Sequence, residues 1–484
     1  MSKITSDLIS FSSIELAEPV VKDKKVTSVI TLKKINGDIN KFYLSIKYEN
    51  KLDEIHLPIL RMAFFMPLLN YGLFTKKFNL EFSISKIDLF LLNELNRIFS
   101  KDIFVNKILR RRANYILPEF IVNEKMVKPG DSNPNGEIKP LSVIDDSAIT
   151  IKIDATRCGV LSSGGKESLL TYGLLKEIGV KVYPLYVNES GGHWRTALPA
   201  YKCHLKNEEN TRRIWTNVDR FYNFMLDNLK FIRPDHRKVW ADTYPIRLCI
   251  FPYYVFALLP AFIENRIGNL LIGSEFDDIR EIPEYLGINH YYGVYDQHQD
   301  YDILMNNWYK KRIPGMAQWS AVRNISGLIV ERILVKRYEN LAKLQRSCHS
   351  CHFEEKNIVP CGQCSKCLGV MLFLLANRAN PKIMEFKDNH ISNFKKIIEK
   401  TNLRLDQDEK DHSLALLGKN LGISIGKFVD HVEKIHINSS TCDPEYIPKY
   451  FREKIMDIIA EYTKGYCILK ENKWVCQSKQ PKID

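Results

Sequence analysis

The chain has 484 residues, 45% of them apolar and 26% charged, enough for two or three domains with substantial cores. Seventy Lys and Arg against 57 Asp and Glu leave a formal net charge of +13, which permits polyanion binding without demanding it. Met1 to Pro19 lacks the apolar core and cleavage pattern of a signal peptide, so a reducing cytoplasmic setting is expected and the eleven cysteines do not read as a disulfide framework.

Val26 to Leu32 and Lys41 to Tyr48 alternate as strands around a turn at Asn36-Gly37-Asp38, and Ile87 to Phe99 has the spacing of an amphipathic helix. Residues 1–127 thus predict an N-terminal α+β domain. The sharpest basic run, Lys107 with Arg110, Arg111 and Arg112, is either a phosphate-facing patch or a solvated helix face. Residues 128–140, rich in Pro, Gly and Asn, predict a linker. Beyond it, Ile149, Ile151 and Ile153 alternate with polar residues and predict a strand entering a second domain, residues 141–384.

Cys158 to Leu161 is a short apolar run, and Ser162-Ser163-Gly164-Gly165-Lys166-Glu167-Ser168 follows it, ahead of a helical pattern that Gly179 stops. Strand, Gly-Gly turn and helix make a phosphate cradle, with unpaired N–H groups at the helix start facing an anion. The three serine hydroxyls add donors, and Lys166 adds a cation. It is not a Walker A loop, because Glu167 follows Lys166 where that motif needs Ser or Thr.

Val180 to Val187 is a continuous apolar run, as in a buried parallel strand, and the polar, glycine-rich loop Asn188 to Arg195 comes next. Within it, Glu189, His193 and Arg195 are candidate substrate-binding residues. Ile246 to Ile263 contains Arg247, Pro252 and Pro260. A bilayer span needs about 20 apolar residues, so this stretch predicts a buried helix and no membrane association. Asn269 to Gly273 predicts another short strand, and the loop after it carries Glu275, Asp277, Asp278 and Arg280. Its carboxylates can hold Mg²⁺ or orient a substrate amine, and Arg280 can pair with a carboxylate or phosphate. Parallel sheets bind ligands at the carboxyl ends of their strands, which is where these three loops fall. The aromatic run His290 to Gln297 either stacks on a base or sugar or packs a core.

Between 348 and 367, Cys348, Cys351, Cys361, Cys364 and Cys367 crowd with His349 and His352. Cys-x-x-Cys turns present sulfurs to one metal, so Cys361, Cys364 and Cys367 are read as ligands of a structural zinc, with an iron–sulfur cluster as the competing reading. Spacing leaves the fourth ligand open between Cys348 and Cys351, with His349 and His352 as outside choices. Residues 385–484 predict a mainly helical region.

The stretch 162–168 resembles the SGGxDS signature of the PP-loop ATP pyrophosphatases, with Glu167 where that family has Asp. The order of the two motifs is similar to that of the 7-cyano-7-deazaguanine synthases, whose zinc motif ends in CGxCxxC after a distant cysteine preceded by serine. Ser347-Cys348 matches that position, so the resemblance selects Cys348 as the fourth ligand. The Gly-Tyr-Pro-Asp-Cys-Arg loop of those synthases is absent, which argues against their substrate. The layout also resembles the ATP-dependent epimerases that act on the glutamate of a UDP-muramoyl-dipeptide.

These resemblances imply a parallel α/β core of the adenine nucleotide alpha hydrolase type, with ATP, Mg²⁺ and Zn²⁺ as cofactors. They imply cleavage of ATP to AMP and pyrophosphate and adenylation of a small-molecule carboxylate, amide or ring oxygen. Residues 162–168 with Val187 and Gly273 would hold the nucleotide, and Lys166, Glu275 and Asp277 would act in catalysis. Adenylation of a tRNA base, or nucleotide binding without turnover, are the other readings. The positive charge is diffuse and no known RNA-binding module is evident. Oligomeric state is not legible in the sequence.

Overall fold

The computed structural model describes all residues except 1–2, 111–113, 190, 240–244, 249, 277–281, 350, 356, 399–402, 404, 422–424 and 479–484. The N-terminal strands are β1 (Phe11–Leu16), β2 (Val20–Lys22), β3 (Lys25–Lys34), β4 (Ile39–Lys47) and β5 (Lys77–Leu80), with helix α1 (Lys86–Ile103) and strand β6 (Glu137–Lys139) after them. An alternating order follows: β7 (Asp154–Leu161), α2 (Lys166–Glu177), β8 (Lys181–Asn188), α3 (Gly192–Asn207), β9 (Arg212–Thr216), α4 (Phe251–Glu264) and β10 (Ile267–Leu271). Helix α5 (Gln299–Arg312), strand β11 (Ala317–Trp319), and helices α6 (Gly327–Arg337) and α7 (Ser365–Ala376) complete it.

All eleven strands belong to one mostly parallel sheet, ordered β11-β10-β7-β8-β9-β4-β3-β1-β5-β6 with β2 paired to β3. The α/β class expected from the sequence is therefore present. Along β8, Val182 and Tyr186 pack with Leu169, Leu170 and Leu174 of α2, whereas Tyr183 and Leu185 pack with Phe256 and Phe262 of α4. This period of two, with helices on both faces, is why the strand reads as a continuous apolar run. Helix α4 is buried nearly all round, so the apolar stretch is a core helix.

Within the parallel half, β7 to β11 lie in spatial order β9-β8-β7-β10-β11. The chain leaves β7 on one side to build β8 and β9, then returns to the other side to build β10 and β11. That reversal opens a crevice at the carboxyl ends of β7 and β10.

The N-terminal strands continue the same sheet. Strand β4 pairs antiparallel with β9 through Trp215↔Lys47 and Thr216↔Ile46. The Asn217 side chain extends the ladder, accepting from Ser45 N at 2.8 Å and donating to Tyr43 O at 2.9 Å.

Four expectations need correction. The stretch 128–140 is docked: Ile138 pairs with Phe78 in the sheet, and Asn96 donates to Gly136 O at 3.0 Å. Ile149 to Ile153 is not a strand; Ile149 N donates to Arg312 O at 2.8 Å, and β7 starts only at Asp154. The expected loop 188–195 is shorter, because β8 runs through Asn188 and α3 begins at Gly192. The C-terminal region carries helices α8 (Gln407–Leu421) and α9 (Lys449–Ala460), and also a sheet of Ile435–Ile437, Tyr466–Lys470 and Lys473–Gln477.

Candidate functional site

The turn after β7 lies at the sheet's reversal point. Gly164 has φ +72, and a Cβ there would sit 3.0 Å from Thr196 O and 3.1 Å from Ala197 Cα, so the position requires glycine. Gly165 caps α2 without a side-chain hydrogen bond, which leaves the first N–H groups of the helix for a ligand. Ser162 and Ser168 hold the turn itself: Ser162 Oγ accepts from Gly164 N at 3.3 Å, and Ser168 Oγ donates to Gly165 O at 3.1 Å. Ser163 is exposed and faces the cavity described below.

The β10 loop packs directly on this turn. A Cβ on Gly273 would lie 2.7 Å from Glu167 Cβ and 3.0 Å from Ser168 N, so only glycine permits the approach. The contact delivers Glu275 to Lys166, whose Nζ stands 2.8 Å from Glu275 Oε1 and also donates to the Glu167 carboxylate. Burial alone would push the Lys166 ammonium down, but Glu167 and Glu275 outweigh it and hold its pKa well above the usual lysine range.

Glu331, on α6, is fully buried, and its carboxyl is pushed up to about 7 by burial, against the pull of Lys166. Gln345 donates to it at 3.2 Å and reaches Ser347 Oγ at 3.3 Å.

The Sγ atoms of Cys348, Cys361, Cys364 and Cys367 all lie within 4.8 Å of one another. The Cys361–Cys367 separation is 3.9 Å and that of Cys348–Cys364 is 4.0 Å. Four sulfurs about 2.3 Å from one ion stand about 3.8 Å apart in a tetrahedron, so the group can hold a single metal ion such as zinc. Cys361 N also donates to Cys348 Sγ at 3.3 Å, a contact that suits a thiolate. Cys351 is buried outside the quartet, and His352 is an exposed partner of Glu354. The sulfur that completes the quartet is thus that of Cys348 and not of Cys351, the choice the resemblance implied.

A cavity of about 380 Å³ joins these two features, within the size range of ligand sites. Ser163, Gly165, Lys166, Glu167, Thr196 and Glu275 line it from the strand ends. Arg346, Ser347, Cys348, His349, Ser365 and Lys366 line it from the cysteine segment. Gly369, Val370, Phe373 and Leu405 add an apolar surface suited to a ring. The sequence offered no signal for Thr196 or Arg346. Ser365 and Lys366 lie between Cys364 and Cys367, where the cysteine spacing alone gives them no role.

Other expected site residues are placed elsewhere. Glu189 is buried, paired with Arg247 at 3.0 Å and accepting from Tyr254 OH; Arg247 also pairs with Asp219 at 2.8 Å. Arg195 is exposed and donates to Cys351 O at 3.5 Å. Val187 packs against the core at the end of β8. Asp277, Asp278 and Arg280 lie outside the described residues, as do Arg111, Arg112 and the His193 side chain. Arg110 lies over the Tyr285 ring at 4.2 Å. In the aromatic run, Tyr291 N donates to buried Asp102 at 2.6 Å and Tyr295 packs edge-on to Phe99, so this run joins α1 to the rest.

Among the described residues no helix is long and apolar enough to cross a membrane. Compared with protein-family models and with curated proteins, the chain matches none.

Proposed function

We propose that the chain binds ATP at residues 162–168 and cleaves it to AMP and pyrophosphate, transferring AMP to an oxygen of a small molecule. The observation that carries this reading is the reversal-point turn, with an uncapped helix start, opening onto a cavity of ligand size. The resemblance of that turn to the PP-loop signature supplies the choice of α–β cleavage.

Electrostatics support a divalent cation. Glu167 and Glu275 both approach the Lys166 ammonium, and burial pushes the Glu275 carboxyl well above the ordinary carboxylate range against the pull of Lys166, so a cation bound here would favour its ionised form. Glu167 and Glu275 would hold a Mg²⁺ ion, which would offset the charge of the phosphates. The helix-start N–H groups, Ser163 and Lys166 would then stabilise pyrophosphate as it leaves. Lys366 and Arg346 add positive charge where the cysteine segment meets the cavity.

The test is to incubate purified protein with ATP, Mg²⁺ and a metabolite extract while following AMP and pyrophosphate. The expected products are AMP and pyrophosphate, lost in Gly165→Val, which puts a branched side chain where the phosphate would lie. ADP as product, or full activity in that variant, would overturn the reading.

A further inference from the structure

A second, smaller crevice shares Glu275 with the main cavity. Phe276, Val294, Gln297, His298, Arg323 and Thr441 line the rest of it, and its space of about 10 Å³ admits one water-sized group. His298 is only 7% exposed. Its Nδ1 accepts the backbone N–H of Asp300 at 3.3 Å, capping α5, and so carries no proton of its own in the neutral ring. The proton therefore sits on Nε2, and that buried N–H has no hydrogen-bond partner among the described residues.

Burial, helped by Arg323 and opposed by Asp300, lowers the His298 pKa to about 4, so the ring is neutral at physiological pH. An unpaired buried N–H costs about 1–3 kcal/mol. Native structures keep few such groups, and His298 is among the residues that line a crevice beside a candidate site. Arg323 cannot relax onto the imidazole, because Gln297 O and Asp302 hold it at 2.6 and 2.5 Å. It supplies fixed positive potential.

We infer that this crevice seats a carbonyl or carboxylate oxygen of the second substrate, with His298 Nε2–H as the donor that fixes it. The inference rests on the reading that Glu275 borders a nucleotide site, since that is what places the crevice beside the reacting groups. Glu275 borders both spaces, so a molecule anchored at His298 would lie beside the main cavity. The crevice is too small for a ring, so it recognises the tip of the substrate while the larger cavity takes its body.

His298→Asn separates this role from folding, because Asn is a good helix N-cap but cannot reach as far as Nε2. The full chain with ¹⁵N-labelled histidine would be titrated with sodium formate and, separately, with sodium chloride at equal ionic strength. The His298 Nε2 resonance, assigned by its loss in His298→Asn, should shift saturably with formate and not with chloride. No saturable shift, or the same shift with chloride, would overturn the seat. In the extract assay, His298→Asn should keep its melting temperature and ATP affinity but form AMP about tenfold more slowly, the scale of one lost hydrogen bond. Unchanged turnover would reject the seat and leave ATP cleavage standing. Absence of AMP in the unaltered protein would reject ATP cleavage, and the formate titration would still decide the seat.

Discussion

The two segments that line the main cavity are held in place by different means. The turn 162–168 owes its position to backbone: strand order puts it at the reversal point, Gly164 and Gly273 allow the close approaches, and Lys166 already has its partners. The cysteine segment has little regular structure beyond a short hairpin of His352–Glu354 with Asn357–Val359, and its anchor is four sulfurs. The first segment is therefore set before any ligand arrives, whereas the second would depend on an ion held by those sulfurs. Point changes should tune the one and collapse the other.

The largest effect tests that dependence. Cys364→Ser should abolish tight metal binding and lower stability by several kcal/mol, since ligation of a structural ion is folding free energy. Metal analysis and thermal melts would measure both. A variant that stays metal-free, folded and able to bind ATP would show that the two segments do not differ in this way.

Glu331 lies where the segments meet, joined through Gln345 to Ser347. Its carboxyl titrates near 7 in the folded chain, above the ordinary carboxylate range, so it resists ionisation there. A raised carboxyl of this kind costs nothing at pH 4 and progressively more as pH rises to 7, up to about 3 kcal/mol. Glu331→Gln should consequently gain stability over the unaltered chain between pH 5 and pH 8 and gain none at pH 4. Urea titrations at the three pH values would check the sign.

Gly273→Ala should cost roughly 1–3 kcal/mol, the range for forcing atoms into a packed contact. Its Cβ would meet the Glu167 side chain and Ser168 N, so ATP affinity should fall with it. Calorimetric ATP titration reads the second effect. The smallest change belongs to Cys351→Ser, outside the quartet: metal content should stay unchanged and stability shift by less than about 1 kcal/mol. Equal damage at Cys351 and Cys364 would show that the ligand set is wrong.

What could be read in the sequence was local. The Gly-Gly turn and the Cys-x-x-Cys spacing carry their geometry within a few residues. The Lys166–Glu275 pair spans 109 positions and exists only once β7 and β10 are neighbours. Glu189 has the composition of a site residue, yet Arg247, 58 residues later, engages it in the interior. Residues 128–140 have the turn chemistry of a linker, but docked turns use the same residues, and pairing of Phe78 with Ile138 cannot be seen from composition. The alternation of Ile149, Ile151 and Ile153 has the strand period, but Ile149 N is satisfied by the end of α5 instead of a sheet neighbour.

The junction between β4 and β9 has a consequence for synthesis. Ser45 waits for Asn217, 172 positions later, to complete its ladder. At translation speeds of 5–20 residues per second, that interval is roughly 10–30 s. Throughout it the nascent chain presents β4 as an open strand edge, where other chains can pair. Lys41 and Lys47 on that strand place positive charge along the edge during the wait, a form of protection that the finished sheet no longer needs.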